Sequence, residues 1–411
     1  MTTPPSEELP AQVPTLKAIA SAFAAFYPKP HLYFGHFAPI LPHDPAMQPV
    51  LPQFSRRTFL GTAVAAGMAL SSDSVLAAET PARKIKLGYD NFAVRAFGWK
   101  APQLIDYADK LAIDSLFISD LDAFESFEPK YLAEVKARAV DKGLQLHVGT
   151  WSICPTSTTF KDKWGTAEEH LRLGIRVAQQ LGSPVIRVIL GNRSDRLTPG
   201  GIQARIADTI KVCKACKKQA IDAGVKIAVE NHAGDMRSEE LIELIEEAGK
   251  DYVGANMDSG NAVWTMEDPL DNLEKLGPYA ATTSLRDTSV WETASGAAIQ
   301  WRAMGEGTLD QKKYFTRFAE LCPDVTVHIE TISGFNLDVP FLKSDFWQSY
   351  PALPAADFAK FLSLAKGNQP VEPFQKPAGV DNKQADQDYQ RAELERSLKY
   401  CKETLGLGIR R

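Results

Sequence analysis

Three acidic residues, Glu230, Asp258 and Glu330, each stand near the C-terminal end of a short run of apolar and β-branched residues. Three carboxylates gathered at one place could move protons to and from carbon, or they could hold a hard divalent cation through their oxygens. Burying several charges without compensation is costly, so such a group needs a cation, protons or arginine partners. The fold must therefore bring the three side chains together and supply those partners.

Six further side chains are candidates for binding a ligand beside these carboxylates. Successive side chains of a strand point to opposite faces, so a strand whose apolar residues contact helices turns its polar residues inward. This alternation and the positions just after the strands single out His147, Arg187, His232, Asn261, Arg286 and His328. Arg187 and Arg286 could instead only neutralise two carboxylates in a buried salt-bridge network, and His232 and Asn261 could only brace loops.

The runs that carry the carboxylates belong to a pattern that recurs eight times between residues 84 and 366. Each short apolar run precedes an amphipathic segment of helical periodicity, which is typical of strands and helices alternating around a parallel sheet. The predicted strands lie near 84–90, 115–120, 145–151, 184–190, 226–231, 253–258, 281–287 and 325–331. Eight such units predict an α/β fold, a (β/α)8 TIM barrel, in which functional residues collect at the C-terminal ends of the strands.

An open, doubly wound parallel sheet is the alternative architecture. That fold carries a glycine-rich turn after its first strand when it binds dinucleotides, whereas Tyr89-Asp90-Asn91-Phe92 stands there. The predicted helices at 167–182 and 200–224 each end at a glycine, as a left-handed helix cap requires. His170 lies on the first of these helices and is predicted to be a surface residue.

Two segments lie outside the predicted strand and helix units. Residues 333–354 form a long segment with many aromatic residues after the last strand, which predicts a lid over the site or a contact between subunits. Trp151, Trp264 and the aromatic residues of this segment could stack on a bound ring or could only pack. Residues 367–411 are predicted to form a linker and a C-terminal helix at 385–405, packed on the barrel or on a partner subunit.

Residues 1–77 are predicted to be a leader. Arg56 and Arg57 stand within Ser-Arg-Arg-Thr-Phe-Leu, a short apolar run follows, and small residues before Ala78 supply a cleavage site. This order is that of a twin-arginine signal peptide and predicts export to the periplasm, with an amphipathic N-terminal helix as the alternative. Because the stretch before the arginines is long, translation could start at Met1 or at Met47.

We expect the double substitution Arg56→Lys and Arg57→Lys to block export, because a receptor reads the arginine pair as an address. The measurement is the distribution of the protein between the periplasmic and cytoplasmic fractions of a cell with a twin-arginine pathway. Arg83→Lys is the control, since it removes a nearby arginine outside the motif. Normal export of the double variant would show that the arginine pair is not a signal.

The amino-acid composition excludes several classes of protein and of binding partner. Hydrophobic residues make up 44% and charged residues 24% of the 411 residues, which excludes a disordered, collagen-like or multi-span membrane protein. The apolar run of the leader is too short to span a bilayer. With 46 Lys and Arg against 51 Asp and Glu, the net charge is −5, so no positive field favours nucleic acid and a small-molecule partner is predicted. Cys213 and Cys216 have no second pair to complete a zinc site.

Four segments of the predicted barrel form a set of motifs. They are Val229-Glu230-Asn231-His232-Ala233-Gly234-Asp235, Asp258-Ser259-Gly260-Asn261, Gly305-Glu306-Gly307 with Asp310, and His328-Ile329-Glu330. The set resembles the sugar isomerase/epimerase family of xylose-isomerase-like TIM barrels. The resemblance implies that Glu230, Asp258 and Glu330 hold a divalent metal (Mn, Mg, Co or Zn), that the two glutamates shuttle protons, and that the partner is a sugar or sugar derivative. Separately, the segments 333–354 and 367–411 could contact a partner subunit, so a homo-oligomer is possible.

Strand seven departs from the pattern of that family. The family has His-x-Lys-Asp there, whereas this chain has Ser284-Leu285-Arg286-Asp287. The expected histidine ligand is absent, so either Ser284, His232 or His328 completes the metal site or the metal is lost. The resemblance implies an isomerase or epimerase that removes the proton next to a sugar carbonyl. A lyase on oxidised (3-keto) glycosides and a catalytically silent sugar-binding barrel are the alternatives.

Overall fold

Eight parallel strands form one sheet in this computed structural model, which describes residues 84–410. The strands are β1 (Leu87–Asp90), β2 (Ser115–Ile118), β3 (Gln145–Ser152), β4 (Val185–Ile189), β5 (Lys226–Glu230), β6 (Val253–Met257), β7 (Ala280–Thr283) and β10 (Val327–Ile329). The first strand pairs with the last, and a bridge between Leu285 and Ile329 connects the two ends of the sheet. The predicted TIM barrel is confirmed. The leader with its arginine pair lies outside the described residues.

Ten α-helices lie in the described part of the chain. They are α1 (Ala101–Lys110), α2 (Pro129–Asp141), α3 (Ala167–Leu181), α4 (Gly201–Ala223), α5 (Ser238–Ala248), α6 (Ser259–Ala262), α7 (Pro269–Leu276), α8 (Gln311–Leu321), α9 (Ala355–Ala365) and α10 (Asn382–Glu403). The third begins at a capping box, in which Thr166 and Glu169 each accept the other's backbone N–H, and ends at Gly182 with φ 74°. Within residues 84–410 we find no helix with the length and apolarity of a membrane span.

A second, antiparallel sheet follows the seventh barrel strand. It consists of β8 (Asp287–Thr293), β9 (Gly296–Arg302) and β11 (Asn336–Val339), with β9 in the middle. The prediction of a helix directly after strand seven is wrong, because residues 287–302 form a hairpin instead. The segment 333–354 contributes β11 to this sheet, and the sheet packs with α9 in a hydrophobic core separate from the barrel.

The C-terminal helix α10 packs on the barrel, which is one of the two arrangements predicted for it; the other was packing on a partner subunit. The backbone N–H of Ala96 donates to Gln390 on this helix at 2.8 Å, and the Tyr107 hydroxyl donates to Glu395 at 3.1 Å. Beyond the helix, Asp114 accepts the backbone N–H groups of Leu87, Ile409 and Arg410 at 2.8, 2.9 and 2.8 Å. One carboxylate therefore connects the first barrel strand to the end of the described chain.

The structure buries His170, and the prediction that it lies at the surface is wrong. The side chain is on the inner face of α3, is 2% exposed, and its Nε2 lies 2.5 Å from the Thr150 hydroxyl on β3. Burial lowers the pKa of His170 to about 4, because the charged imidazolium loses its hydration there. The helical periodicity of the sequence did not distinguish this position from an exposed one.

This burial predicts a pH-dependent contribution of His170 to stability. The unfolded chain binds the proton near pH 6.5, whereas the folded chain binds it only near pH 4, so stability is lost as the pH falls through this window. We expect wild type to lose roughly 1.4 kcal/mol per pH unit there relative to His170→Gln. Denaturant unfolding of both proteins at pH 7.5 and pH 5 measures this difference. A constant gap between the two proteins would contradict the prediction.

Candidate active site at the carboxyl end of the barrel

The three predicted carboxylates meet at the C-terminal ends of the barrel strands. Glu230 is the last residue of β5, while Asp258 and Glu330 directly follow β6 and β10. All three are buried, and each offers an oxygen within 4.8 Å of those of the other two. The structure thus brings together the group that the spacing and the resemblance singled out.

Two buried arginines contact this carboxylate trio. Arg187, on β4, donates from Nε to Oε2 of Glu230 at 2.6 Å and from Nη1 to the carbonyl oxygen of Thr150 at 3.1 Å. The Nη2 group of Arg286, which follows β7, donates to both Asp258 and Glu330. The arginines therefore compensate the carboxylates, which is the salt-bridge network that the sequence left open.

Two asparagines complete the polar surroundings of the trio. Asn256 donates to Oε2 of Glu230 at 2.6 Å and to the Ser284 hydroxyl at 3.2 Å. Asn261, one of the predicted binding residues, donates to Glu230 at 3.2 Å and to Oδ2 of Asp258 at 2.7 Å. Since Oδ1 of Asp258 also accepts the backbone N–H groups at the start of α6, this carboxylate has a fixed orientation.

A fourth carboxylate, Asp90, lies beside the trio. It ends β1, accepts a hydrogen bond from Ser119 at 2.6 Å, and accepts a longer one from the Ser284 hydroxyl at 3.4 Å. Burial raises its pKa to about 6, against the effects of Ser119 and Arg187. Asp90 was not predicted as a site residue, although it stands at the end of the first strand as Glu230 does at the end of the fifth.

Burial and the arginines act in opposite directions on the trio. Burial raises the pKa of Asp258 to about 7 and that of Glu330 well above its usual value, although Arg286 works to lower both. Burial also acts to raise the pKa of Glu230, but Arg187, His232 and Arg286 together hold it below the ordinary value. The carboxylates thus differ in proton affinity because their contacts differ.

The predicted histidines occupy two different places. His147 and His328 lie in the barrel interior with ring centroids 4.6 Å apart. His147 contacts the Thr282 hydroxyl at 2.9 Å, and His328 contacts the Ser115 hydroxyl at 2.9 Å. His232 lies after β5, where its Nδ1 contacts the carbonyl oxygen of Gly191 at 2.7 Å. None of these recorded hydrogen bonds reaches the trio, so their substrate-binding role stays a prediction.

Aromatic side chains cover Arg286. The ring of Trp301, on β9, lies 4.1 Å from the guanidinium carbon, Trp264 stacks on Trp301 at 4.5 Å and 11°, and Phe335 contacts Trp301 edge-on at 5.6 Å. Trp301 belongs to the hairpin that the sequence analysis missed. Trp264 and the segment 333–354 do reach the site, but they pack on another side chain in this structure.

The residues fit a divalent cation only in part. Three buried carboxylates supply the oxygen ligands that a hard cation prefers. The position of the family's histidine, however, is Ser284, whose hydroxyl already contacts Asn256 and Asp90. Arg286 donates to two of the three carboxylates, so a cation could use all three only if this arginine moved away.

Comparison with known proteins assigns the fold to a family. The family model for a xylose isomerase-like TIM barrel matches residues 93–334, which is more than half of the 411 residues. The chain belongs to this family. The match includes β4 to β10 and therefore all three carboxylates of the trio.

Individual known proteins are similar to this chain only distantly. An uncharacterized protein of Escherichia coli, YihM, is 24% identical over 103 residues, which are 25% of this chain and 31% of that protein, so the chain spans about a third of this curated relative. A crystal structure of D-psicose 3-epimerase in the presence of D-fructose superposes with a TM-score of 0.53 at 14% identity, covering 78% of this chain and 100% of that one. For 3-keto-D-glucoside 4-epimerase of E. coli the TM-score is 0.46 at 15% identity, covering 68% and 100%.

Proposed function

We propose that this chain is a sugar isomerase or epimerase that transfers a proton at the carbon next to a carbonyl, with Glu230 and Glu330 as the acid/base pair. The observation that carries the proposal is the meeting of two buried glutamates from β5 and the end of β10, both with arginine partners. Family membership and the fold shared with D-psicose 3-epimerase support this reaction class.

The chemistry follows from two carboxylates acting on one carbon. The carbon–hydrogen bond breaks, its proton moves to one glutamate, its electron pair forms the new carbon–carbon double bond, and the π electron pair of the carbonyl group moves onto the carbonyl oxygen. Return of a proton to the opposite face gives an epimer, whereas protonation of the neighbouring carbon gives an aldose–ketose isomer. The enediolate between these steps carries negative charge on oxygen.

That negative charge needs a positive partner, for which there are two candidates. A divalent cation (Mn, Mg, Co or Zn) held by Glu230, Asp258 and Glu330 would polarise the carbonyl as a Lewis acid. Arg187 and Arg286 are the second candidate, since their guanidinium groups already lie on the trio. Asn261 donates hydrogen bonds to both Glu230 and Asp258 and so holds these two carboxylates in place.

Solvent-deuterium incorporation tests the reaction class directly. Each member of a panel of ketoses and 3-keto-glycosides is incubated with the protein in D2O, and deuterium in recovered substrate and product is located by NMR. We expect exchange at the carbon next to the carbonyl and formation of an epimer or isomer. Release of the group at the β-carbon would instead indicate a lyase. Absence of exchange throughout the panel would point to a catalytically silent sugar-binding barrel.

We also propose that the chain works in the periplasm after twin-arginine export. The order of the arginine pair, the apolar run and the small residues before Ala78 supports this location. These residues lie outside the described part of the chain, so the proposal depends on the sequence alone. A homo-oligomer likewise stays a prediction.

A further inference from the structure

Gly260 and Trp301 shape the space that the Arg286 side chain occupies. A methyl group at Gly260 would overlap Cγ and Cδ of Arg286 and would lie 2.8 Å from Nε1 of Trp301. That Nε1 donates to the carbonyl oxygen of Gly260 at 2.8 Å, and the Trp301 ring covers the guanidinium at 4.1 Å. Glycine, tryptophan and arginine therefore fit each other, and the cation–π contact adds to the attraction of the carboxylates.

Arg286 gives two carboxylates of the trio the positive partner that a bound cation would otherwise supply. Its Nη2 donates to both Asp258 and Glu330, and Arg187 holds Glu230. Side-chain exposure is 2% for Arg286 and 5% or less for all three carboxylates, so water does little to weaken these pairs. A guanidinium keeps its charge in such a place because its intrinsic pKa is far above neutral.

Two nitrogens of Arg286 remain available. Among the described residues, Nε and Nη1 are buried and have no hydrogen-bond partner. A buried donor without a partner is unfavourable, so these N–H groups are suited to an acceptor that the protein itself does not supply. An oxygen of a substrate that enters beside the trio is such an acceptor.

We propose that Arg286 is the resident cation of this site and that the chain needs no divalent metal. That Arg286 takes the place of a metal follows from its contacts with the carboxylates, Gly260 and Trp301. That it acts in the reaction rests on the proposed function. In that reaction the N–H groups of Arg286 donate to the oxygen that gains the electron pair when the carbon–hydrogen bond breaks. One glutamate takes the proton from carbon, the other, already protonated, gives its own proton to carbon, and exchange of protons with water restores both, so no oxidant, reductant or further co-reactant is consumed.

A direct titration with Mn2+ tests whether Arg286 takes the place of a metal, without any substrate. The purified chain is analysed for metal by mass spectrometry and then titrated with Mn2+, with the free ion followed by electron paramagnetic resonance. We expect far less than one equivalent of bound metal and no saturable Mn2+ site. Saturable binding of one Mn2+ per wild-type chain would overturn the inference, whatever the activity.

The variant Arg286→Met tests whether this arginine is what fills the site. We expect it to expose the trio and to gain one Mn2+ site, while its melting temperature rises when Mn2+ is added. Arg237→Met is the matched control, because Arg237 is also buried and also holds a carboxylate, Asp357 at 2.5 Å, away from the trio. A folded Arg286→Met that gains no Mn2+ site would overturn the inference. If this variant fails to fold, the wild-type titration still decides.

Proton exchange separates this inference from the proposed function. We expect exchange by wild type to be unchanged by EDTA and to fall about 10²- to 10³-fold in Arg286→Met, as when one donor to a developing oxyanion is removed. Loss of exchange in EDTA would overturn the inference and leave the reaction class standing. Absence of exchange from every substrate would remove the proposed function and leave the Mn2+ results to decide the role of Arg286.

Discussion

The substitution Glu330→Gln is expected to lower α-proton exchange by about 10²- to 10⁴-fold, because an amide cannot accept the proton that the reaction moves. Glu330 is the most accessible carboxylate of the trio, with a side chain 5% exposed against 0% for Asp258 and 1% for Glu230. Glu230→Gln should have an effect of the same order, since the reaction needs both a donor and an acceptor. Deuterium incorporation into the substrate measures both variants.

The control for these variants must also remove a buried carboxylate. Glu267 is 1% exposed and accepts the backbone N–H of Ser238 at 3.0 Å outside the trio. Glu267→Gln should therefore keep the wild-type rate of proton exchange, although it loses stability for the same reason as the other two variants, a buried amide in place of a carboxylate. Full exchange in either Glu330→Gln or Glu230→Gln would remove that residue from the mechanism.

The substitution Asp258→Asn is expected to lower exchange by about 10²-fold or more through the loss of a positioned charge. The Asn side chain can still cap α6 through Oδ1, but it would present an amide to the donors Arg286 and Asn261. The NH2 group of the new side chain then faces the N–H groups of Arg286 and Asn261, so Arg286 loses one of its two carboxylate partners. The measurement is deuterium exchange together with the melting temperature.

The matched control for Asp258→Asn is Asp268→Asn. Asp268 also caps a helix, accepting the backbone N–H groups of Leu270 and Asp271 at 2.7 and 3.4 Å, and it lies outside the site. Asp and Asn are about equally good at this position, so exchange and stability should stay near wild type. Equal losses in the two variants would mean that Asp258 acts only as a helix cap.

The alternation of apolar and polar residues along each strand could be predicted from the sequence, because one face of a barrel strand packs on the helices and the other faces the interior. Ile227 and Val229 pack in the main hydrophobic core, which forces Glu230 to the other face. The same rule placed Asp258 and Glu330 at the strand ends, where a parallel barrel must bring them together. The fold class and the trio therefore followed from periodicity and from the resemblance.

The surroundings of the trio were less accessible to sequence analysis. The hairpin at 287–302 was not predicted, because Ala294-Ser295 is not one of the usual two-residue turns and the residues before it do not alternate regularly between apolar and polar. The contact between Trp301 and Arg286 depends on how that hairpin folds over the barrel. Nor does any spacing rule reveal that Gly260 leaves the space which Arg286 fills.

The carboxylate of Asp114 holds the C-terminal segment against the first strand of the barrel. It accepts backbone N–H groups from Leu87 in the first strand and from Ile409 and Arg410 near the end of the chain. The hydrogen bonds to Ile409 and Arg410 form only after these residues have been synthesised, whereas the hydrogen bond to Leu87 and the pairing of β1 with β10 do not need them. The C-terminal segment can therefore join a barrel whose strands have already paired.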